Sequence, residues 1–195
     1  MKLILSSCDF HNPNSKKGII ENIDKPISEC KVLFIPNETA SKKAIRSEKY
    51  YLQMMNYGFL RKNIYVFDYY DAASFYNLNI DLLYIGGGNT FQTIDRLKKR
   101  NFTDEIVRYI KSGVIYIGGS AGAHIVSKNI EHVLRYDNNK TNVTDFEGLG
   151  LFDGIFICHF SAEREEHYNQ LKASSPYEVY SLTNDETIVF ICNKS

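Results

Sequence analysis

The chain has 195 residues, of which 23 are basic and 23 acidic, so its formal net charge at pH 7 is zero. This balance provides no long-range field to attract nucleic acid or an anionic membrane, and neither is expected as a partner. Hydrophobic residues make up 44% and charged residues 24% of the chain. These values are typical of a soluble globular protein, and one domain spanning residues 1–195 is expected.

Short apolar runs predict strands along the whole chain. Each run is rich in β-branched or aromatic residues and is bounded by turn residues. The predicted strands are Lys2–Ser6, Lys31–Ile35, Asn63–Phe67, Asp81–Ile85, Val114–Ile117, Ile155–Cys158 and Thr187–Ile191.

Stretches with helical periodicity lie between these runs, at Ser41–Tyr57, Thr90–Lys99, Thr103–Lys111 and Ala162–Ala173. Gly58 and Gly113 follow two of them, at the position where a helix C-terminus favours glycine. Strands that alternate with helices indicate βαβ units, so the sequence predicts an α/β fold with a mostly parallel central sheet. The polar segment Tyr136–Asp145 predicts a long loop.

The cysteines are scattered without a C-x-x-C pair, at Cys8, Cys30, Cys158 and Cys192. This distribution supports neither a zinc site nor a redox motif, so no metal and no cofactor are expected. Reduced thiols, a short N-terminal apolar run and the lack of a membrane-length apolar segment predict a cytoplasmic protein. A homodimer is compatible with zero net charge, although no pattern identifies an interface.

The most informative segment is residues 118–122, with the sequence GGSAG, directly after the predicted strand Val114–Ile117. It matches the G-x-S-x-G nucleophile elbow, in which small neighbours let the backbone fold sharply beneath the serine. Ser120 then stands at the start of a helix, where main-chain N–H groups favour negative charge. The motif predicts a serine hydrolase with Ser120 as its nucleophile.

A histidine follows another predicted strand, since His159 comes directly after Ile155–Cys158. The carboxyl ends of parallel strands meet at one edge of a sheet, so His159 is expected beside Ser120 as its general base. His124 lies one turn after Ser120 on the same predicted helix and is expected to neighbour the site rather than to act as the base.

An acidic side chain is expected to orient His159. In many enzymes with this elbow the acid follows the nucleophile and precedes the histidine. Asp137, in the polar loop, is the first candidate, and Glu131 is the second.

Glycine-rich residues 86–88 follow the strand Asp81–Ile85 and lead into a helix. The run lacks the continuation of a phosphate-binding loop. Two main-chain N–H groups are needed to stabilise an oxyanion, each worth roughly 3–4 kcal/mol. Ala121 is expected to supply one, and the turn at Gly87-Gly88 the other.

With these residues in place, the chain resembles the peptidase E (aspartyl dipeptidase) family of serine peptidases. The resemblance is carried by residues 84–90 (YIGGGNT), residues 119–123 (GSAGA), and residues 148–152 (GLGLF) leading into His159-Phe160. It covers essentially the whole chain, in the same order and spacing.

The resemblance implies a flavodoxin-like three-layer fold related to class I glutamine amidotransferases, with serine in place of their cysteine. It implies a catalytic triad containing Ser120 and His159, an oxyanion hole from Gly88 and Ala121, and metal-free cleavage of small peptides. It also implies that Arg164 reads the carboxylate of an N-terminal aspartate, with Asn89 as a further substrate contact.

Three functions are compatible with these observations. The first is a serine peptidase acting on short peptides, including dipeptides with N-terminal aspartate. The second is an amide or isopeptide hydrolase resembling cyanophycinase, and the third is a binding domain that keeps the fold without catalysis. Labelling by a serine-directed probe separates the third from the others, and a peptide panel separates the first from the second.

Overall fold

The computed structural model describes residues 1–191. Within that range the strands are β1 (Lys2–Ser6), β2 (Val32–Ile35), β3 (Ile64–Val66), β4 (Leu82–Ile85), β5 (Ile115–Gly119), β6 (Gly154–Ile157), β7 (Glu178–Ser181) and β8 (Thr187–Ile191). The α-helices in the same range are α1 (Pro13–Glu21), α2 (Lys42–Ile45), α3 (Lys49–Tyr57), α4 (Thr90–Lys98), α5 (Thr103–Ser112), α6 (Ala121–His124) and α7 (Ala162–Ser174). Short 3₁₀ turns include Asp9–His11 and Glu131–Arg135.

The central sheet of the described chain has the strand order β3-β2-β4-β5-β1-β8. Strands β1 to β5 run parallel, and β8 pairs antiparallel with β1. Every residue of β2 and β4 is buried, as expected for strands covered by helices on both faces. The predicted α/β class with a mostly parallel central sheet is confirmed.

The register of the sheet brings together the loops that follow β1, β4 and β5. Ser6 pairs with Gly119, and Ile85 pairs with Gly118, so β1, β4 and β5 end at the same level. The residues that follow these strands therefore share one edge of the sheet.

Strand β6 departs from the prediction of a single sheet. It pairs in parallel with β7 in a separate two-stranded sheet and forms no ladder with the central one within residues 1–191. Strand β7 is not among the predicted strands, because its polar residues Glu178 and Ser181 break the apolar pattern.

The helices also differ in detail from the predicted periodic stretches. The stretch Ser41–Tyr57 forms two helices, α2 and α3, rather than one. Helix α1 was not predicted, although its start carries clear signals: Pro13 occupies the first turn, and the Asn12 side chain accepts hydrogen bonds from two main-chain N–H groups. No helix among residues 1–191 is both long and apolar enough to span a bilayer.

Candidate active site

Ser120 occupies a sharp turn between β5 and α6. Its backbone has φ 48° and ψ −107°, a conformation that costs a non-glycine residue about 1–3 kcal/mol. A Cβ on Gly122 would overlap the carbonyl oxygen of Ile85, and one on Gly119 would overlap the Asp9 carboxylate. The glycines are thus required by close approach of the backbone to its neighbours, as in a nucleophile elbow.

The Oγ atom of Ser120 lies 3.0 Å from Nε2 of His159. His159 directly follows Cys158 at the end of β6 and, like Ser120, has a positive φ, of 53°. Its main-chain N–H donates to the Ser7 hydroxyl at 2.9 Å, and that hydroxyl donates to the carbonyl of Leu182 at 2.7 Å. Buried Ser7 therefore ties the small sheet, which carries His159, to the end of β1.

The other ring nitrogen of His159, Nδ1, lies 2.7 Å from Oδ1 of Asn184. An amide oxygen only accepts hydrogen bonds, so this contact favours the tautomer with the proton on Nδ1. The lone pair of Nε2 is then directed at the Ser120 hydroxyl. Ser120, His159 and Asn184 therefore form a continuous line of hydrogen-bond contacts.

Asn184 was not predicted as a site residue, because the site residues were predicted from positions that follow strands, whereas Asn184 precedes one. Asn184 precedes β8, and only the antiparallel pairing of β8 with β1 brings the start of β8 to the edge where the parallel strands end. The polar turn before Thr187–Ile191 was the one available signal.

Asp137 and Glu131, the two acids predicted to orient His159, have other surroundings. The Asp137 carboxylate accepts a hydrogen bond of 2.7 Å from the main-chain N–H of Thr90, the first residue of α4. A carboxylate there stabilises the positive end of the helix. Glu131 is exposed at the start of a 3₁₀ turn. The side chains in contact with Nδ1 of His159 are instead Asn184, with Oδ1 at 2.7 Å, and Cys8, with Sγ at 3.9 Å.

The glycine-rich turn lies against the proposed nucleophile. A Cβ built on Gly87 would be 3.6 Å from the Cβ of Ser120, and Gly88 has φ 157°, a region open to glycine. Ala121 is the first residue of α6, where main-chain N–H groups have no carbonyl partner within the helix. Gly87 is thus the glycine that lies beside Ser120, while Gly88 packs against the Glu38 carboxylate.

Asn89 and Arg164, the two predicted substrate contacts, are engaged within the protein. Asn89 caps α4 by accepting from the N–H of Gln92, and its amide donates to the carbonyl of Asn138 at 2.9 Å. Together with Asp137, it holds the loop of residues 136–145 to the start of α4. Arg164 donates to the carbonyl of Cys158, and its guanidinium stacks on the ring of Tyr136 at 4.0 Å.

His124, on α6, and His132 lie close together, with their ring centroids 5.9 Å apart. Burial holds the pKa of His124 well below its ordinary value and lowers the pKa of His132 to about 4. Both are therefore neutral near pH 7, and His124 bonds Thr90 rather than Ser120. No group of three or more potential metal ligands occurs among residues 1–191.

Asp9 is a further residue that sequence reasoning missed. Its side chain is 3% exposed beneath Gly119, its φ is 43°, and its carboxylate lies 2.6 Å from Nδ1 of His11. That hydrogen bond raises the pKa of His11. His11 also contacts the Tyr57 hydroxyl through Nε2 at 3.1 Å. No sequence motif marks the pair.

Comparison with known proteins shows the family of this chain. The model of peptidase family S51 matches residues 2–195. The chain belongs to peptidase family S51. This membership confirms the resemblance to peptidase E and agrees with the prediction of a hydrolase that acts on peptide bonds.

Several relatives of this S51 chain are similar over part of their length. An uncharacterized peptidase of Pasteurella multocida strain Pm70 is 30% identical over 144 residues, 69% of this chain and 67% of the relative. An uncharacterized peptidase of Listeria monocytogenes is 33% identical over 114 residues, 55% of each chain. Peptidase E of Citrobacter koseri is 30% identical over 113 residues, 56% of this chain and 47% of the relative. The matched segments thus span about half the length of the last two relatives.

A solved structure covers nearly all of the S51 chain. The crystal structure of a Listeria monocytogenes EGD-e protein assigned to peptidase E superposes with a TM-score of 0.75 and 25% sequence identity. The match includes 97% of this chain and 93% of that protein. A peptidase from an acI-B1 actinobacterium, at 19% identity and a TM-score of 0.65, shares the fold.

Proposed function

We propose that the protein is a serine peptidase that hydrolyses short peptides through an acyl-enzyme on Ser120. The observation that carries the proposal is the 3.0 Å contact between Ser120 Oγ and His159 Nε2, with Asn184 on the other nitrogen of the ring. A hydroxyl becomes a useful nucleophile when a neutral imidazole of fixed tautomer can take its proton.

In the first half of the reaction, His159 Nε2 takes the Ser120 proton as Oγ attacks the carbonyl carbon of the peptide. The N–H groups of Gly88 and Ala121 stabilise the oxyanion, each worth roughly 3–4 kcal/mol. When the C–N bond breaks, His159 returns the proton to the leaving amine. Asn184 accepts from Nδ1–H throughout and keeps the ring oriented.

In the second half, water replaces the amine. His159 takes a proton from water as its oxygen attacks the acyl carbon, and the oxyanion forms again in the same place. Collapse of this intermediate breaks the C–Oγ bond, returns the proton to Ser120 and releases the carboxylic acid. Every step of the proposed cycle is carried out by side chains, main-chain N–H groups and water.

The family supports the choice of substrate class. Family S51 is a peptidase family, and relatives of this chain carry the name peptidase E. We therefore assign short peptides as substrates, with dipeptides bearing an acidic N-terminal residue as the first to test.

Labelling with a fluorophosphonate probe, followed by intact-mass measurement, tests the proposed nucleophile. One adduct is expected on the wild type and on Ser112→Ala, which removes a distant serine hydroxyl on α5, and none on Ser120→Ala. An adduct on Ser120→Ala would contradict the assignment. Absence of labelling on the folded wild type would favour the binding-domain alternative, and turnover of isopeptides alone would favour the cyanophycinase-like one.

A further inference from the structure

Asp9 lies directly beneath the nucleophile elbow, and the proposed mechanism uses none of its atoms. It follows β1, and its side chain is 3% exposed. The side chain packs on Gly119, the residue before Ser120, so closely that a Cβ on that glycine would overlap the carboxylate. Burying a carboxylate costs free energy unless it has hydrogen-bonding partners. A carboxylate in this place therefore points to a role that an apolar side chain could not fill.

The same carboxylate also reaches the glycine-rich turn. A Cβ built on Gly86 would be 3.4 Å from Oδ2 of Asp9, so this oxygen lies alongside that turn. Asp9 is thus placed between the two turns that surround the Ser120 hydroxyl, against the elbow at Gly119 and against the glycine-rich turn at Gly86.

The hydrogen bonds of the sheet do not set the spacing of these two turns. The register between β4 and β5 ends at the pair Ile85 and Gly118. The glycine-rich turn begins at the next residue, Gly86, so its distance from Ser120 depends on the side chain that packs between the two turns. An oxyanion accepts hydrogen bonds over about 3 Å, and a displacement of about 1 Å can lower a rate by about 10²-fold.

Asp9 is itself held in place from two directions. Its main-chain N–H donates to the Ser6 hydroxyl at 3.0 Å. Its Oδ1 atom lies 2.6 Å from Nδ1 of His11, and Nε2 of His11 lies 3.1 Å from the Tyr57 hydroxyl. Tyr57 is the last residue of α3, so a chain of contacts runs from that helix to the base of the elbow.

We propose that Asp9 is a positioning residue for Ser120. It keeps the elbow and the glycine-rich turn at the spacing that stabilises an oxyanion, and His11 keeps the Asp9 side chain in place. This role rests on the proposed function, since the spacing matters only when Ser120 is acylated. Asp9 acts through the two turns and makes no contact with substrate.

The rate of fluorophosphonate labelling reports on this spacing without a peptide substrate. As the Oγ–P bond forms, fluoride leaves and His159 takes the Ser120 proton, while the phosphonyl oxygen lies where the oxyanion would. Rates at several probe concentrations separate binding of the probe (KI) from the chemical step (kinact). In Asp9→Ala, kinact is expected to fall about 10²-fold with KI nearly unchanged. Asp9→Asn keeps the shape and an acceptor for His11, so its kinact should stay within about tenfold of the wild type.

Asp68 provides a matched control, because it is also a buried carboxylate with one basic partner, Arg46. It lies beyond the end of β3, which β2 and β4 separate from β5. Asp68→Ala should lose stability to urea, as Asp9→Ala does, but should label at the wild-type rate.

His11→Ala tests the partner of Asp9 with a smaller disturbance of the core, because the His11 side chain is 65% exposed. Without His11 the Asp9 carboxylate can leave its place, so kinact should fall about tenfold, which corresponds to the loss of one hydrogen bond to a charged group.

Several results would overturn the role of Asp9. They are wild-type kinact in Asp9→Ala, equal slowing in Asp68→Ala, or slowing in Asp9→Asn as large as in Asp9→Ala, which would make charge rather than position the cause. If Asp9→Ala does not fold, an unchanged kinact in His11→Ala would reject the role equally. Absence of labelling on the folded wild type would instead reject the proposed function.

Discussion

Asn184 Oδ1 lies 2.7 Å from Nδ1 of His159, while Nε2 of the same ring lies 3.0 Å from the Ser120 hydroxyl. The imidazole therefore has a partner on each ring nitrogen. Asn184 precedes the antiparallel strand β8, and Ser120 follows the parallel strand β5. The partner that orients the ring is a neutral amide, which fixes the tautomer without adding charge to the site.

The first prediction concerns Asn184. Asn184→Ala leaves Nδ1 without its acceptor, so the ring samples orientations and tautomers that cannot accept the Ser120 proton. We expect kcat to fall by about 10²-fold, the lower range of a general base's contribution, with KM nearly unchanged. Asn184→Asp restores an acceptor and should recover most of the activity. Steady-state kinetics on one dipeptide substrate distinguish these outcomes, and an unaltered kcat in Asn184→Ala would remove Asn184 from the site.

The second prediction concerns Asp137. Its carboxylate stabilises the start of α4 through Thr90, so Asp137→Asn should lower the free energy of unfolding by about 1 kcal/mol. Because the group does not face His159, kcat should stay within about tenfold of the wild type. Urea titration and kinetics on the same preparation check both parts. A loss of several orders of magnitude in kcat at unchanged stability would instead support Asp137 as the orienting acid.

The third prediction concerns backbone strain at Ser120. Glycine tolerates a φ of 48° far better than serine or alanine, so Ser120→Gly should be more stable than Ser120→Ala by about 1 kcal/mol. In a chain of this size that difference corresponds to a melting temperature higher by roughly 2–4 °C. Differential scanning calorimetry compares the two inactive variants directly. Equal melting temperatures would mean that the turn is not strained.

The fourth prediction concerns acid stability. The pKa of His132 is lowered to about 4 in the folded chain, against 6.5 when it is exposed, so between these values the unfolded chain binds more protons. The free energy of unfolding must therefore rise with pH across this window and fall on acidification. His132→Gln can still donate to the Phe156 carbonyl and should lose less stability than the wild type between pH 7 and 4, by about 3 kcal/mol. If the free energy of unfolding changed equally with pH in the two proteins, the pKa of His132 would not be lowered by folding.

The sequence predicted those parts of the site that short-range patterns encode. An apolar strand that runs into small residues identifies an elbow at Ser120, since only glycine and alanine fit beneath such a turn. The glycine-rich turn after β4 follows from the rule that parallel strands end at one edge of a sheet. His159 was expected from the same rule, but β6 lies in a separate sheet, and Ser7 ties His159 to the end of β1. The central sheet was predictable because β1 to β5 are largely buried apolar runs, and helical periodicity separates β2 from β3 and β4 from β5.

The remaining parts depend on pairing between distant segments. Asn184 reaches His159 only because β8 runs antiparallel to β1, and direction is not encoded in the residues of β8 themselves. Asp137 follows the serine and precedes the histidine along the chain, as the orienting acid is expected to do, yet the start of α4 offers its carboxylate a main-chain donor. Asp9 and His11 form a contact two residues apart in a turn that carries no pattern of its own.

Ser120 and His159 belong to different sheets, and Ser7 bridges them with hydrogen bonds of 2.9 Å and 2.7 Å. The gap between the reacting atoms thus depends on how one sheet docks on the other, and the ladders inside each sheet do not control it. Heating that separates the two sheets would therefore abolish the contact between Ser120 and His159 while the helices and strands persist. Activity would then be lost at a lower temperature than the far-UV circular dichroism signal of the helices and strands.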